Sequence, residues 1–409
     1  MMVKLKILVL IFAAIQLNCS KISRNFVEKP NNPALESPAV LQVGAARLDL
    51  YLPMLADKNV VLLVNNTSML GSTHLADTLL SRGVKVVKIF APEHGFRGEA
   101  DAGEHLKDGK DAQTGIPLVS LYGSKRKPGA DDLAGIDWIV FDIQDVGARF
   151  YTYISTMHNV MEACAENGVK FMVLDRPNPN GHYVDGPILD PAYRSFVGMH
   201  PVPVVHGMTV GEYARMINGE GWLEGGRHCE LEVIPCDNYT HSTPYELPVR
   251  PSPNLPNMRA IYLYPSICFF EGTVASEGRG TPNQFQVYGH PDFPKGDYTF
   301  TPVSMFGAKS PKLEGKLCHG FSLVDQKPED IRAEARINLS YLIDFYRDFP
   351  DKENFFLKTG FFDKLAGSPQ MREQIIAGKS EAEIKQSWQE GLAGFKKLRR
   401  KYLLYEDFE

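Results

Sequence analysis

A glutamate followed by a histidine closes an apolar stretch in Ala91-Pro92-Glu93-His94-Gly95-Phe96-Arg97-Gly98. A carboxyl group partly withdrawn from water holds its proton to higher pH and can serve as a general acid. The competing reading pairs Glu93 with Arg97 as a loop strut. His94 is either a partner of that acid or a histidine packed in the loop. In Asp142-Ile143-Gln144-Asp145 the two carboxylates can bind ligand hydroxyls, stabilise positive charge or cap the next turn. Arg149-Phe150-Tyr151 can hold an anion beside a ring, or be a surface arginine and a core aromatic. Farther on, Glu271-Gly272-Thr273 leads to Ser276-Glu277-Gly278-Arg279-Gly280-Thr281. Glycines at this spacing allow close approach of backbone to a ligand, and Arg279 can grip a carboxylate with two parallel hydrogen bonds. The alternative there is a tight loop with a local Glu277–Arg279 pair.

These residues need a frame, and an alternation of strands and helices supplies one. Val60–Val64 is a continuous apolar run, as a strand buried on both faces requires. A helix is expected from about Thr73 to Arg82, stopped by Gly83. Strands follow at Val84–Phe90, Trp138–Phe141 and Phe171–Leu174, with a helix from Tyr153 to Glu166 ending at Asn167-Gly168. The pattern implies an α/β fold, a Rossmann-like, doubly wound and mostly parallel sheet. In such sheets the ligand lies beyond the carboxyl ends of the strands. The four strand ends carry Asn65-Asn66-Thr67, the Glu93 segment, the Asp142 segment and Asp175-Arg176-Pro177-Asn178-Pro179-Asn180-Gly181, which would converge on one crevice. Thr209 with Glu212 forms a capping box for a further helix. Residues 239–321 are rich in proline and glycine with short β-like segments. Two long helices are expected to close the chain, from about Glu329 to Arg347 and from Ser380, where Glu383 completes another capping box. In the latter, Ile384, Trp388, Leu392, Phe395 and Leu398 recur at helical spacing and are expected in the core. The organisation expected is a Rossmann-like domain over 41–238 and a smaller α+β domain over 239–409 that completes the cleft.

Composition narrows the class. The 409 residues suit two domains. A net charge of -5 argues against broad nucleic-acid binding. Lys4 and Lys6 precede a short apolar run, Ile7–Ile15, too short to span a bilayer. It reads as an export signal over residues 1–18, with Cys19 as a lipidation site and 19–40 as a tether. The expectation is an exported, periplasmic or outer-membrane lipoprotein that meets the membrane only through that lipid. The other cysteines, Cys164, Cys229, Cys236, Cys268 and Cys318, show no metal-ligand spacing. Cys164 is expected as a buried thiol, and an extended segment between Cys229 and Cys236 would hold those two too far apart to bridge. There is no Gly-x-Gly-x-x-Gly after a strand, no phosphate loop, no Gly-x-Ser-x-Gly elbow and no His-Glu-x-x-His.

Taken together, the segments from Ala91 to Gly98, Ala102-Gly103, Leu121-Tyr122-Gly123, Phe141 to Tyr151, Asp175 to Pro179, Glu271 to Thr281 and Ser387-Trp388 to Tyr405 resemble the NamZ-type exo-β-N-acetylmuramidases. The resemblance covers nearly all the chain after the tether. It implies a Rossmann-like domain joined to a smaller C-terminal domain, no metal or nucleotide cofactor, and release of N-acetylmuramic acid from the non-reducing end of peptidoglycan fragments. It also implies that Glu93 is a catalytic carboxyl. The second catalytic group stays open between Asp142 and others. The substrate's lactyl carboxylate calls for an arginine, and Arg97, Arg149, Arg176 and Arg279 are available. The site is thus expected to contain Glu93, His94 and Asp142 for catalysis, with Asn66, Arg97, Arg149, Tyr151, Asp175, Arg176, Glu277 and Arg279 on the substrate. Two other classes remain: a non-catalytic peptidoglycan-binding module, and an esterase or amidase acting on the same wall. The missing nucleophile elbow and metal spacing weigh against the latter.

Overall fold

A computed structural model of the protein describes residues 40–93, 95–97 and 109–409. His94, the export segment and Cys19 lie outside the described residues. Seven strands form the main sheet: β1 (Asn59–Val64), β2 (Lys85–Ala91), β3 (Gly109–Lys110), β4 (Pro117–Ser120), β5 (Trp138–Asp142), β6 (Lys170–Leu174) and β7 (Leu231–Ile234). Their order is β3-β4-β2-β1-β5-β6-β7, and every pairing but β3 with β4 is parallel. The chain therefore winds outward from β1 in both directions, which is the doubly wound arrangement.

The apolar runs are continuous because both faces of the sheet are covered. Val61, Leu63, Ile139, Phe141, Phe171 and Val173 point to one face, under the helices Tyr153–Asn167 and Val210–Gly219. Val60, Leu62, Val64, Val140, Met172 and Leu174 point to the other, under Leu48–Leu55 and Leu75–Ser81. Each such side chain stabilises the fold by roughly 1.5–3 kcal/mol relative to exposure. The first helix ends where Gly168 takes φ 66° and its N–H reaches the Cys164 carbonyl, a left-handed cap open to glycine. Thr209 and Glu212 form their capping box, and Ser380 and Glu383 theirs. Strand β7 separates Cys229 from Cys236, and all five cysteines after residue 40 are free and buried.

The C-terminal half carries a three-stranded antiparallel sheet, Val287–His290, Tyr298–Phe300 and Cys318–Ser322, together with short helices. Its aromatic residues Phe269, Phe270, Phe345, Phe355 and Phe362 continue the core of the first sheet face. The two long closing helices are not continuous, which corrects the periodicity reading. The first is Pro328–Glu334 and Ser340–Asp348, interrupted where Ala335 adopts φ 46°. The second is Glu381–Gln386 and Gln389–Arg399. One buried carboxylate holds both breaks: Asp185 accepts from the Ile337 backbone N–H at 2.8 Å and from Trp388 Nε1 at 3.2 Å. Ile384, Trp388, Leu392 and Phe395 are buried as expected.

Candidate active site

Strand β2 delivers Glu93 to the carboxyl edge of the sheet two residues after its last position. Its side chain is half-buried. Thr152, at the N-terminal cap of the helix Tyr153–Asn167, donates its hydroxyl to Glu93 Oε2 at 3.1 Å. The Tyr153 hydroxyl donates to the Glu93 carbonyl at 3.4 Å. Two residues past the end of β4, Tyr122 lies beside the Glu93 carboxylate. Burial first, and the nearby Glu93 charge second, push that phenol up from its ordinary range, so it stays protonated. Glu93, carried by β2, is thus held by the start of the helix Tyr153–Asn167 and flanked by the loop after β4.

The C-terminal half supplies the facing wall. Glu271 lies in the 3-10 turn Cys268–Gly272. Arg279 Nε and Nη2 both donate to Glu271 Oε1, at 3.0 and 2.5 Å. Arg279 Nε also lies 3.5 Å from Glu277 Oε1. Lys312 donates to Glu277 Oε2 at 3.1 Å and to the carbonyls of Phe270, Thr273 and Ala275. Burial raises the Glu277 carboxyl, but Lys312 and Arg279 outweigh it and hold the group below its ordinary range. Gly278 and Gly280 have φ of 85° and 79°, and a Cβ on Gly280 would meet Pro311 at 2.6 Å. Their freedom serves to seat the loop against its own protein rather than to bring backbone to a ligand.

Between these walls is a cavity of about 400 Å³, lined by Glu93, Tyr122, Arg126, Tyr151, Thr152, Phe196, Glu271, Arg279, Phe285 and Lys364, among others. Its size and aromatic walls with a few polar groups suit a small ligand. Among the described residues the lining acids are Glu93 and Glu271.

Of the expected site residues, Glu93, Tyr151 and Arg279 face this cavity, with Glu277 directly behind Arg279. The Tyr151 hydroxyl is spent on the Pro251 carbonyl at 2.6 Å, which leaves its ring to the cavity. The other strand ends do not converge there, because the crevice between β1 and β5 is filled by their own side chains. Arg176 clamps Asp142 through Nε at 2.5 Å and Nη2 at 2.9 Å, both residues buried. Asn65 Oδ1 accepts from Thr67 Oγ1, which accepts from the Gln144 N–H. Asp175 is buried among Thr209 Oγ1, the Gly211 N–H and the Tyr405 hydroxyl. Arg149 is fully buried and donates to the carbonyls of Pro187, Val202 and Leu365. Asn66 and Arg97 line a separate hollow, where Arg97 is paired with Asp111 at 2.9 Å and Asp77 at 3.4 Å. Asp142, Arg149, Asp175 and Arg176 therefore build the frame instead of lining the cavity.

Sequence reasoning passed over Tyr122, Arg126, Thr152, Phe196, Glu271 and Lys364. Tyr122 and Glu271 stood within quoted segments; Arg126, Phe196 and Lys364 sit in loops and a short helix with no periodic signal. Among the described residues one carboxylate group is close enough to share a cation: Glu162, Glu166 and Glu224, with ligand atoms within 4.8 Å of one another. Lys127 Nζ already contacts Glu162 at 2.7 Å and Glu166 at 2.8 Å, so an ammonium takes that place.

Comparison with known proteins shows the family. Residues 60–259 match the family described as exo-beta-N-acetylmuramidase NamZ, N-terminal, and residues 262–405 match its C-terminal counterpart. A peptidoglycan beta-N-acetylmuramidase NamZ of Bacillus subtilis (strain 168) is 40% identical over 376 residues, 87% of this chain and 89% of that protein. Two crystal structures of DUF1343 family proteins from Bacteroides fragilis NCTC 9343 are similar. One has a TM-score of 0.84 at 50% identity, covering 90% of this chain and all of that one. The other has a TM-score of 0.74 at 28% identity, covering 90% and 99%. The matched descriptions are those of a glycoside hydrolase. The chain belongs to the NamZ family of exo-β-N-acetylmuramidases.

Proposed function

We propose that this chain removes N-acetylmuramic acid from the non-reducing end of peptidoglycan fragments, with Glu93 as the general acid. The observation that carries the reading is the Glu93 carboxyl group, held by Thr152 beside Tyr122 in a cavity where, among the described residues, the other lining acid is Glu271. The name and 40% identity of the Bacillus subtilis relative support the same substrate. Cleavage breaks the bond from the anomeric carbon to the leaving oxygen. Glu93 gives its proton to that oxygen, a second group meets the positive charge developing on the sugar ring, and a water forms the new bond to the anomeric carbon while its proton restores the acid. Glu271 is suited to be that second group because it lines the same cavity and Arg279 fixes its position through one oxygen, Oε1, leaving Oε2 free of that contact. Tyr122, still protonated, donates to the Glu93 carboxylate left after proton transfer.

The direct test is incubation of purified protein with a chromogenic β-N-acetylmuramide and with peptide-free glycan strands. The reading expects free N-acetylmuramic acid and stepwise shortening from one end. Binding without any release would make the chain a wall-binding module instead.

Export and lipid anchoring belong to the same reading. They are supported by Lys4, Lys6, the run Ile7–Ile15 and Cys19. Cys19→Ala should move the protein from the membrane fraction to the soluble fraction, and a wild type already soluble after export would contradict the anchor.

A further inference from the structure

We infer that Arg126 is the residue that reads the lactyl carboxylate, the group by which N-acetylmuramic acid differs from N-acetylglucosamine. The inference rests on the substrate proposed above. Among the described residues three cations line the cavity: Arg126, Arg279 and Lys364. Arg279 is committed to Glu271 and Glu277 and has little left to offer a ligand. Lys364 is exposed on the short helix Phe361–Ala366, a point charge on a flexible stem.

Arg126 is different in three ways. It lies in a run of three cations whose outer members are both paired. Lys125 contacts Asp132 at 2.9 Å, and Lys127 contacts Glu162 and Glu166. Among the described residues Arg126 forms no ion pair. The two lysines and the Asn159 amide, which donates to the Arg126 carbonyl at 3.2 Å, fasten this loop to its surroundings. The middle side chain is left directed at the cavity. Second, its guanidinium lies over the Phe196 ring, with Cζ 4.2 Å from the centroid. Stacking uses the flat face, so the in-plane N–H donors stay available, already oriented, for a planar carboxylate. Third, Arg126 follows Tyr122 by four residues, so the cation and the tyrosine beside the acid carboxyl are carried by one loop and line the same cavity.

The test is affinity, measured by calorimetry, for N-acetylmuramic acid, for its uncharged lactyl methyl ester and for N-acetylglucosamine. Wild type should prefer the free acid. Arg126→Met, at an exposed position that tolerates the change, should lose roughly ten- to hundredfold in affinity for the free acid. Its affinity for the ester and for N-acetylglucosamine should stay near wild type. Arg126→Lys should recover part of the loss, since an ammonium cannot make the paired contact. If Arg126→Met keeps the full preference, or if Lys364→Met is the variant that abolishes it, Arg126 is not the reader and the inference fails while the proposed substrate stands. A wild type that binds the three sugars alike overturns the substrate reading and this inference with it.

Discussion

Arg279 places two of its donors on a single oxygen of Glu271, Nε at 3.0 Å and Nη2 at 2.5 Å, and so binds the two loops of the facing wall into one charged unit. An arginine tied in this way positions a carboxylate; it does not recruit one from solution. Glu271→Gln should therefore lower turnover on a chromogenic muramide by roughly 10²–10⁴-fold, the range for a directly acting group. Product affinity should change little. Steady-state kinetics beside calorimetry measure both, and near-normal turnover would remove Glu271 from the chemistry.

Arg279→Met should cost stability, beside the turnover lost when Glu271 is no longer held in position. It strips Glu271 of its partner and leaves the buried Glu277 to Lys312 alone. The loss should be about 2–3 kcal/mol, discounted from the fully buried case because a quarter of the arginine side chain is exposed. Urea denaturation measures it. An unchanged midpoint would mean that the cluster contributes nothing net.

Asp142 should behave as frame rather than machinery. Asp142→Ala leaves Arg176 buried without its counter-charge, a change that costs about 3–5 kcal/mol. The yield of folded protein should fall, while turnover per folded molecule, referenced to circular dichroism, stays at the wild-type level. Turnover lost in fully folded protein would return Asp142 to the reaction.

Asp145 gives a pH signature. Its carboxyl is buried, with Oδ1 accepting the Gly147 N–H at 2.6 Å and Oδ2 unpartnered among the described residues. Burial pushes it up to about 7, against the pull of the Gly147 and Val146 amides. An unfolded aspartate titrates near 3.9. Between those values the folded state holds a proton that the unfolded state has released, so this contribution falls as pH rises from about 4 to about 7 and is level above. Its full size is on the order of 3–4 kcal/mol. His158, His182 and His206, lowered to about 4, 4 and 3 mainly by burial, contribute with the opposite sign. The clean readout is therefore the difference from Asp145→Asn, which should gain on wild type as pH rises from about 5 to about 7 and level off above. A constant difference would contradict the buried-acid assignment.

The strands that build the frame were legible because a parallel sheet covered on both faces demands unbroken apolar runs, and Val60–Val64 or Phe171–Leu174 can be little else. Glu93 was legible through its place at a strand end and its family segment. What escaped was long-range. Nothing near Asp142 in sequence announces that Arg176, from the next strand over, will neutralise it. Nothing in Arg149 announces that three carbonyls wait for it in the core. Polar residues at strand ends can line a crevice or fill it, and side-chain packing alone decides which. The helix break at Ser387-Trp388 was hidden for the same reason: the apolar spacing runs on through it, while Asp185, some 200 residues earlier, fixes the turn.

Substitution of Glu93 tests its role as the acid. Glu93→Gln preserves the shape and an acceptor for Thr152 but has no acidic proton to give. The decisive measurement is kcat of this variant on N-acetylmuramides whose leaving groups span good to poor. Turnover should fall roughly 10²–10⁴-fold on poor leaving groups that need protonation, with a much smaller loss on 4-nitrophenol, which leaves almost unaided. Product affinity should remain near wild type. A variant that cleaves both kinds of substrate at wild-type rates would contradict the account outright.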